Sequence, residues 1–560
     1  MAEPPPSSAT TPSALSRKRP RTSPPPAVRA MPAPPPIAVP SAPASVEPSS
    51  STAPQAAPSM SNESLGTHPV RPPAHYTSLA ASNPSSAAFQ LPLHLTAFSY
   101  SPTRELLFDA ERKNEAMAVY REPRMGSDLN FGFEQATWRD GSVDEGLDAL
   151  LDTLSEFAKT DANPPAATDL LGKTSLVTWR GMLTKLMLAV YEAENVAQGR
   201  RGDGWEMNAM LVDGCLYLEE SNPPSKLAKK SASESSYLIQ SYYGYSFEAY
   251  STQPFPSSSS SSHASAAPPP AFEPPNTNVQ WCSIVKTSLG GFRTIVGGEV
   301  DCVRPGADKD RIATRDFVEL KTNMVIQSQR DEVNFERLKL LKHYVQSFLL
   351  GVPRVTVGFR TRQGQLTGIQ HFATLDIPRL VRGKPHAWDS QACLASAQDL
   401  ITFIHRTLSN HPSTQSAEAA FASPAPPASS SGPSSSGDPS PALPSFPVFR
   451  LSFTPSPSAL GPAGLSVREL TPEEVEGEVC GAKRTERRVG FLLERWVREV
   501  RERRREINER MSYAPPPAPA VPYIPPTASA GRRVPPPPPP PLSTAAGGPP
   551  GGSVAAGLKR

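Results

Sequence analysis

Long tracts rich in proline, serine and alanine limit how much of this chain can fold. Proline accounts for 68 of the 560 residues, and the richest tracts are residues 1–88, 252–271, 411–445 and 512–560. Such composition buries too little apolar surface to offset the entropy lost on ordering, so we predict that these tracts are disordered. The prediction leaves residues 89–410 and 446–511 as one large folded domain, from which the two internal tracts extend as loops.

The remaining sequence combines strand and helix patterns. Alternating and β-branched residues predict strands in "SLVTWRG", "WEMNAMLVDGCLYLEE" and "VQWCSIVKTSLGGFRTIVGGEVDCV", with turns at Asp213-Gly214 and Gly290-Gly291. We place the aromatic segment "SSYLIQSYYGYSFEAY" in this strand-rich region, whereas "MLTKLMLAVYEA" fits a short helix or a further strand. The sequence predicts an α+β (mixed α/β) fold, a single domain with a mixed β-sheet core flanked by helices.

Two further segments show the spacing of amphipathic helices. In "NFERLKLLKHYVQSFLLGVP" a helical apolar face is predicted to consist of Leu338, Leu341, Val345, Phe348 and Leu349, and Gly351 and Pro353 mark the end. Near the C-terminus, one helical face is predicted to carry Val489, Leu493, Trp496 and Val500. We expect the apolar half of this second helix to pack on the core and its charged half to be a solvated end; binding of a partner or RNA by that end is the alternative.

The charge distribution argues against a simple phosphate-coating surface. The formal net charge is +3, but both ends of the chain are rich in arginine and lysine, so the region between them is net acidic. Modules that coat nucleic acid gain most of their affinity from a basic surface. If this domain handles nucleic acid, a local site must do so, with bound cations that allow phosphate to approach carboxylates.

Other sequence features bear on the compartment. The five cysteines are far apart and fit no zinc site or disulfide framework, which favours a reducing compartment. The first residues lack an apolar signal segment, and no run approaches the ~18 apolar residues of a membrane span, so we expect a soluble intracellular protein. The basic cluster Arg17–Arg21 predicts nuclear localisation, although short basic clusters also occur by chance.

Two short polar pairs interrupt apolar strands, namely Glu299-Val300-Asp301 and Glu319-Leu320-Lys321. Alternate strand residues share a face, so the four polar groups would converge if the strands were neighbours. The solvated face of an antiparallel sheet explains either pair alone. Together, with Gly297-Gly298 leading into the first pair, they match the pattern of metal-dependent phosphodiester cleavage on a restriction-endonuclease-like PD-(D/E)xK core. Carboxylate oxygens suit Mg²⁺, and the lysine can orient or deprotonate the attacking water.

A series of motifs then follows in order over about residues 92 to 375: "FSYSPTRELLFD", "TWRGMLTKLM", "WEMNAMLVDGCLYLEE", "GYSFE", "NTNVQWCSIVKTSLG", "GGEVDC", "VELKT" and "KLLKHYVQSFLLGVPRVTVGFR". This series resembles the DXO-type decapping nuclease family, in particular its fungal nuclear branch, whose members partner the nuclear 5′→3′ exoribonuclease. The segments "FRLSF" and "GFLLERWV" extend the resemblance more loosely toward the C-terminus.

The resemblance implies a metal site. Its ligands would be the carboxylates and one backbone carbonyl of Glu248, Glu299, Asp301, Glu319 and Leu320, which would hold two Mg²⁺ or Mn²⁺ ions. Four carboxylates so close would repel one another without cations. Taken alone, the glutamate of "GYSFE" fits an ordinary surface residue at a strand end better than a metal ligand.

The resemblance also implies roles for three other residues. Lys321 would position the scissile phosphate or the nucleophilic water, Gln346 would hold that water, and Arg180 would bind a 5′-terminal phosphate bidentately. Without the resemblance, these residues fit a salt-bridged lysine, a solvated helix residue and a surface arginine.

The implied activity is hydrolysis at RNA 5′ ends in nuclear quality control. Candidate reactions are pyrophosphate release from 5′-triphosphate RNA, removal of unmethylated or otherwise incomplete caps, and removal of NAD caps. One alternative is a mainly non-catalytic protein that stabilises the nuclear exoribonuclease. A second is a DNA endonuclease with the same chemistry, which the joint occurrence of "TWRG", "GYSFE" and the glutamine-bearing helix disfavours.

Overall fold

The computed structural model describes residues 64–160, 163–234, 238–255, 272–423, 442–456, 463–483 and 485–512. The basic cluster at Arg17–Arg21, most of the insertion that follows residue 252 and the C-terminal polyproline tract lie outside the described residues. The predictions made for those segments therefore stay predictions.

Helices and strands alternate along the described chain. The helices are α1 Pro73–Ser82, α2 Asp148–Thr160, α3 Pro164–Gly172, α4 Arg180–Ala197, α5 Pro224–Glu234, α6 Leu238–Ser251, α7 Gln329–Asn334, α8 Leu341–Leu350, α9 Ile377–Val381, α10 Ser390–Ser409, α11 Pro412–Ala422, α12 Pro472–Glu474 and α13 Glu494–Ser512. The strands are β1 Gly66–Pro69, β2 Phe89–Tyr100, β3 Leu106–Leu107, β4 Ala118–Tyr120, β5 Leu176–Trp179, β6 Trp205–Val212, β7 Cys215–Glu220, β8 Thr252–Pro254, β9 Gln280–Leu289, β10 Phe292–Glu299, β11 Cys302–Val303, β12 Phe317–Met324, β13 Arg354–Arg360, β14 Leu366–Ala373, β15 Phe449–Thr454, β16 Gly464–Glu469, β17 Arg488–Val489 and β18 Leu492–Leu493.

The strands form two mixed sheets and one short hairpin. The larger sheet has ten strands in the order β1-β16-β15-β6-β7-β5-β10-β9-β2-β3, and β5 runs parallel to both β7 and β10. The smaller sheet has six strands in the order β14-β13-β12-β11-β4-β8, and β12 runs parallel to β13. The helices pack on both sheets, which confirms the predicted α+β class.

Glycine turns close the two predicted hairpins. Between β6 and β7, Asp213 and Gly214 have φ angles of 54° and 71°, the left-handed conformation at both central positions of a type I′ turn. Between β9 and β10, Gly290 has a φ of 56°. Both turns lie where the sequence places them, because few residues other than glycine, asparagine and aspartate tolerate this backbone region.

The ten-stranded sheet separates two hydrophobic cores. Along β10, Ile295 contacts the core that includes α2 and α13, whereas Val296 contacts the core that includes α4, α8 and α10. This alternation follows from the two-residue period of a strand. None of the described helices combines the length and apolar character that a membrane span requires.

Three predicted tracts contain regular structure, so their boundaries need correction; residues 252–271 begin with β8, which pairs with β4. Residues 1–88 include β1 and α1, and α1 is tied to the domain because Tyr76 and His68 both contact Asp399 of α10, at 3.1 and 2.8 Å. Residues 411–445 include α11, where buried Phe421 packs on Phe446 with ring centroids 5.4 Å apart. Proline is the first residue of both helices, a position where its missing amide costs nothing.

Two helix assignments also differ from the sequence prediction. The sequence prediction places "SSYLIQSYYGYSFEAY" among strands, but residues 238–251 form α6, in which Tyr243 and Phe247 are buried at helical spacing. Near the C-terminus, Val489 and Leu493 lie on the β17–β18 hairpin, and α13 begins only at Glu494. Each strand of this hairpin has only two residues, which is too short to show the alternation of a strand in the sequence. Its apolar residues also match the helical spacing of α13, and the sequence therefore predicted one longer helix.

The helix before the β13 strand is largely as predicted. It consists of α7, a π-helical stretch over Phe335–Leu340, and α8, and it ends at Gly351 with a φ of 70°. Leu341, Val345 and Leu349 are buried, but Leu338 of the predicted apolar face is exposed. The π-helical stretch changes the angular spacing of the side chains, which accounts for the displaced leucine.

Candidate active site

A short crossover between the two sheets carries two of the predicted acidic residues. β10 ends at Glu299, and the Val300 amide donates to the Trp281 carbonyl at 3.0 Å, which holds the chain on the ten-stranded sheet. Asp301 follows, and the next residue begins β11 of the six-stranded sheet. The strands that carry the two polar pairs are therefore not neighbours. The crossover nevertheless brings the pairs together, since the Leu320 amide donates to Asp301 Oδ2 at 2.6 Å.

Lys321 is a partly buried counter-ion shared by two carboxylates. It lies on the same face of β12 as Glu319, whereas Leu320 between them is buried in a separate core. Lys321 Nζ is 2.7 Å from Glu319 Oε1 and 3.6 Å from Asp301 Oδ2, and it donates to the Leu320 carbonyl at 3.0 Å. The Glu319 side chain has no exposed surface, so these contacts lie in a low-dielectric environment.

Arg180 supplies a second cation from the first residue of α4. Its Nη1 donates to Glu319 Oε2 at 3.0 Å, and its side chain is 15 % exposed. Among the described residues, no other hydrogen bond from this guanidinium is present, so Nε and Nη2 remain available to a further acceptor. Here Arg180 pairs with a carboxylate, and its predicted role at a terminal phosphate stays a prediction.

Glu248 approaches the cluster from α6. Its side chain is partly buried, and the charges of Asp301, Lys321 and Glu299 act on it. Burial, followed by the negative charges of the neighbouring carboxylates, raises the pKa of Glu248 well above its ordinary value, although Lys321 opposes the effect. The charges of Glu248, Glu299, Asp301 and the β12 pair thus act on one another in this part of the structure.

The carboxylates of the cluster differ in their pKa values. Burial raises the pKa of Asp301 to about 7, with Glu319 and Glu299 adding to the effect and Lys321 opposing it. Burial also acts against ionisation of Glu319, but Arg180 and Lys321 outweigh it and lower the pKa of Glu319 to about 2. Burial acts to lower the pKa of Lys321, but the neighbouring carboxylates outweigh it, so this pKa is raised above its ordinary value. The cluster holds more acidic than basic groups and therefore favours additional positive charge.

The donor set suits a divalent cation of the Mg²⁺ or Mn²⁺ type. Its side-chain ligands are carboxylates, and the Leu320 carbonyl points toward the same lysine that contacts them. Glu319 Oε1 is buried and accepts no hydrogen bond of acceptable geometry, despite its 2.7 Å ion pair with Lys321. Within the described ranges, no three His, Cys, Asp or Glu side chains form a ready coordination sphere, and Lys321 is the cation that Glu319 and Asp301 contact.

Gln346 lies on α8, where its side chain is partly buried. No hydrogen bond joins it to the acidic cluster in the part of the chain that the structure describes. The charge of Lys321 does act on the neighbouring His343. Burial first, and then Lys321, lower the pKa of His343 to about 3. The predicted water-holding role of Gln346 stays a prediction.

Sequence reasoning missed the contacts that explain the glycine doublet before Glu299. A Cβ on Gly297 would lie 2.6 Å from the Trp179 ring, and a Cβ on Gly298 would lie 2.7 Å from Leu350 and 3.1 Å from Arg180. The doublet lets β10 approach β5 and α8 closely, which fixes the position of the crossover beside Arg180. The doublet itself was the signal, but its partners are distant in sequence.

Comparisons with known proteins agree with this geometry. A family model described as RAI1 like PD-(D/E)XK nuclease matches residues 90–425. The decapping nuclease RAI1 of Neurospora crassa is 35 % identical over 353 residues, which cover 61 % of this chain and 77 % of the relative. The decapping nuclease RAI1 of Mycosarcoma maydis is 34 % identical over 473 residues, which cover 74 % and 88 %.

Solved structures show the same fold. The crystal structure of Candida albicans Rai1 in complex with pU5-Mn²⁺ aligns over 74 % of this chain and 96 % of its own, with a TM-score of 0.55 and 19 % identity. The Scheffersomyces stipitis Rai1 structure aligns over 74 % and 98 %, with the same TM-score and 22 % identity. At such identities the likeness establishes the arrangement of sheets and helices.

Proposed function

This chain belongs to the RAI1 like PD-(D/E)XK nuclease family, and we propose that it is a metal-dependent decapping nuclease that hydrolyses RNA 5′ ends. The reactions proposed are pyrophosphate release from 5′-triphosphate RNA and removal of unmethylated, incomplete or NAD caps. The observation that carries the proposal is the buried cluster in which Asp301 and Glu319 converge on Lys321 and Arg180. These four charged groups come from three separate segments and have no structural need to meet, because apolar residues would stabilise the same place more simply.

Divalent ions, two in this proposal, would be held by Glu248, Glu299, Asp301, Glu319 and the Leu320 carbonyl. Bound there, they would supply Lewis acidity and lower the pKa of a water molecule. The C. albicans relative was crystallised with Mn²⁺, which supports an ion of this class.

The two basic residues have distinct proposed tasks. Arg180 is fixed on Glu319 through one nitrogen, so its remaining N–H groups can bind a phosphate oxygen of the 5′ end. Lys321 holds its proton firmly because carboxylates surround it, so it acts by orienting the attacking water and by stabilising charge on the reacting phosphate. Gln346 is proposed to hold the same water, once substrate and cations order the cleft.

The test replaces Glu299 and Asp301 together by alanine and measures pyrophosphate release from 5′-triphosphate RNA in Mg²⁺ or Mn²⁺. The variant is expected to melt cooperatively and to release no pyrophosphate. Asp308→Ala with Asp310→Ala is the matched control, because it removes two exposed carboxylates at the same spacing. Full hydrolysis by the cluster variant would refute the assignment of the site.

Two broader parts of the proposal rest on sequence. Nuclear location rests on the basic cluster at Arg17–Arg21, which lies outside the described residues. Partnership with a nuclear 5′→3′ exoribonuclease rests on the family resemblance. Alanine replacement of the basic cluster followed by microscopy of a tagged protein tests the first. Co-purification of the exoribonuclease with the Glu299/Asp301 variant tests the second and separates a stabilising role from catalysis.

A further inference from the structure

The end of β12 carries basic residues that the proposed reaction does not use. Lys321 and Asn323 lie on one face of β12, two residues and therefore about 7 Å apart. Asn323 is 7 % exposed, and its Oδ1 accepts a hydrogen bond from Lys339 Nζ at 2.8 Å. Asn323 thus holds Lys339, a lysine from a separate helical segment, at the β12 position that follows Lys321 on the same face.

A second basic group is fixed beside the first. Arg360 ends β13, next to the end of β12, and its guanidinium lies 4.2 Å from the ring centroid of Tyr243, which is buried. Arg360 Nη1 donates to the Thr361 carbonyl at 3.2 Å, while its Nε is buried and has no hydrogen-bond partner in the described residues. The arginine is therefore oriented by aromatic and backbone contacts and keeps donor capacity.

No carboxylate in the described part of the chain neutralises these two cations. Among those residues, neither Lys339 nor Arg360 has an acidic group within ion-pair distance, and burial together with Arg360 lowers the pKa of Lys339. Other basic residues of this region are paired, such as Arg337, whose Nη2 lies 2.7 Å from Glu194. Two adjacent cations without a counter-ion form a site that attracts an anion.

The local backbone also favours a functional role. Lys339 lies in the π-helical stretch Phe335–Leu340, and Phe335 anchors that stretch by packing on Phe359 with ring centroids 5.7 Å apart. A π-helical turn is less stable than an α-helical one and occurs frequently at functional sites. Here it directs Lys339 toward β12 while the same segment stays packed on β13.

We propose that Lys339 and Arg360 bind successive phosphates of the RNA strand that leads away from the reacting 5′ end. This inference rests on the proposed function, because it takes Lys321 as the position of the reacting phosphate. Contacts to the phosphate backbone position a strand without reading its sequence, so the subsite would accept any RNA body. Asn323 positions Lys339 and does not itself contact the RNA.

The test measures binding of 3′-fluorescein-labelled, 5′-monophosphorylated RNAs of two and twelve nucleotides, by anisotropy in Ca²⁺ buffer. The variants are Lys339→Gln, Arg360→Gln and the double variant of the full chain. The double variant is expected to bind the twelve-nucleotide RNA at least tenfold more weakly, and the dinucleotide, which has a single phosphate beyond its 5′ phosphate, with a clearly smaller loss. The slope of log affinity against log salt for the longer RNA should fall by about 0.7 for each phosphate that the protein no longer neutralises.

Lys173→Gln is the matched control, because it removes an exposed lysine directly after α3, on the other side of the ten-stranded sheet, and should leave both affinities unchanged. Equal losses for the two RNAs, or an unchanged salt slope, would overturn the subsite. If Arg360→Gln lowers the melting temperature, the Lys339→Gln variant alone tests the subsite. Lys339 is exposed, so its replacement removes no buried packing.

Pyrophosphate release separates this inference from the proposed function. If the wild type releases pyrophosphate and the Lys339→Gln variant shows an unchanged KM on long RNA, the subsite alone is wrong. If the wild type releases none, the proposed reaction is wrong, and length-dependent binding still tests the subsite. A raised KM with an unchanged kcat is the result that the subsite predicts.

Discussion

Replacement of Lys321 by methionine separates stability, ion binding and catalysis in one variant. The ammonium lies 2.7 Å from one carboxylate and 3.6 Å from another. At an effective dielectric constant of about 20, these pairs attract by about 6 and 5 kcal/mol. The cost of burying the ammonium offsets most of this attraction. Loss of one partner from a buried pair typically costs about 3–5 kcal/mol, which is the expected fall in the free energy of unfolding without divalent ions.

Divalent ions should reverse part of that loss. A bound ion neutralises the same carboxylates, and a ligand at a hundred times its dissociation constant stabilises the folded state by about 2.7 kcal/mol. Lys321 competes with the ion for Glu319 and Asp301, so the methionine variant should bind Mn²⁺ more tightly than the wild type does. Its hydrolysis rate should nevertheless fall by about 10²–10⁴-fold, because the group that orients the water is gone.

The assay compares melting temperatures of wild type and Lys321→Met over a Mn²⁺ titration, followed by pyrophosphate release at saturating Mn²⁺. The difference in melting temperature should narrow as Mn²⁺ increases. A difference in melting temperature that stays constant would show that the ions do not contact Asp301 and Glu319, the carboxylates that pair with Lys321. Wild-type hydrolysis by the variant would refute the catalytic role of the lysine.

Three further outcomes follow from the structure. Gly297→Ala, whose Cβ would meet the Trp179 ring at 2.6 Å, should lower the free energy of unfolding by about 1–3 kcal/mol and reduce hydrolysis, whereas Gly291→Ala, with open space around it, should do neither. Burial lowers the pKa of His94 to about 4, so the stability due to its neutral form is present above pH 6.5 and is lost as the pH falls toward 4, by up to about 3 kcal/mol. In His94→Gln, the free energy of unfolding measured in urea should therefore change less between pH 7 and pH 4 than it does in the wild type. Lys483→Met, which leaves two buried carboxylates that each lie 2.9 Å from the ammonium, should cost about 3–5 kcal/mol in urea unfolding, and neutralising both carboxylates as well should recover most of it.

Local sequence rules predicted the elements whose cause is local. The β6–β7 and β9–β10 hairpins, the C-terminal stop of α8 at Gly351 and the alternation of Glu319 with Leu320 depend on residues within a few positions. The class of fold followed from these elements together, and the fold and family expectations are confirmed by the matching family model.

The features that local sequence patterns could not predict depend on contacts between residues far apart in the chain. Arg180 pairs with Glu319 across 139 sequence positions, and the crossover at Asp301 assigns the two polar pairs to different sheets. The N-terminal strand β1 is ordered because it pairs with β16, which lies near the other end of the described chain. Composition alone placed that strand in a disordered tract, because composition cannot report a distant partner. α6 was missed because aromatic residues favour strands in isolation, while their burial at helical spacing decides the outcome here.

The most direct measurement of the central claim is anomalous diffraction from crystals of the full chain soaked in Mn²⁺. The proposed metal site requires anomalous peaks bounded by Glu248, Glu299, Asp301 and Glu319, with Lys321 displaced from the Glu319 oxygen that it contacts at 2.7 Å. Crystals that show no manganese among these carboxylates, with Lys321 still on Glu319, would contradict it.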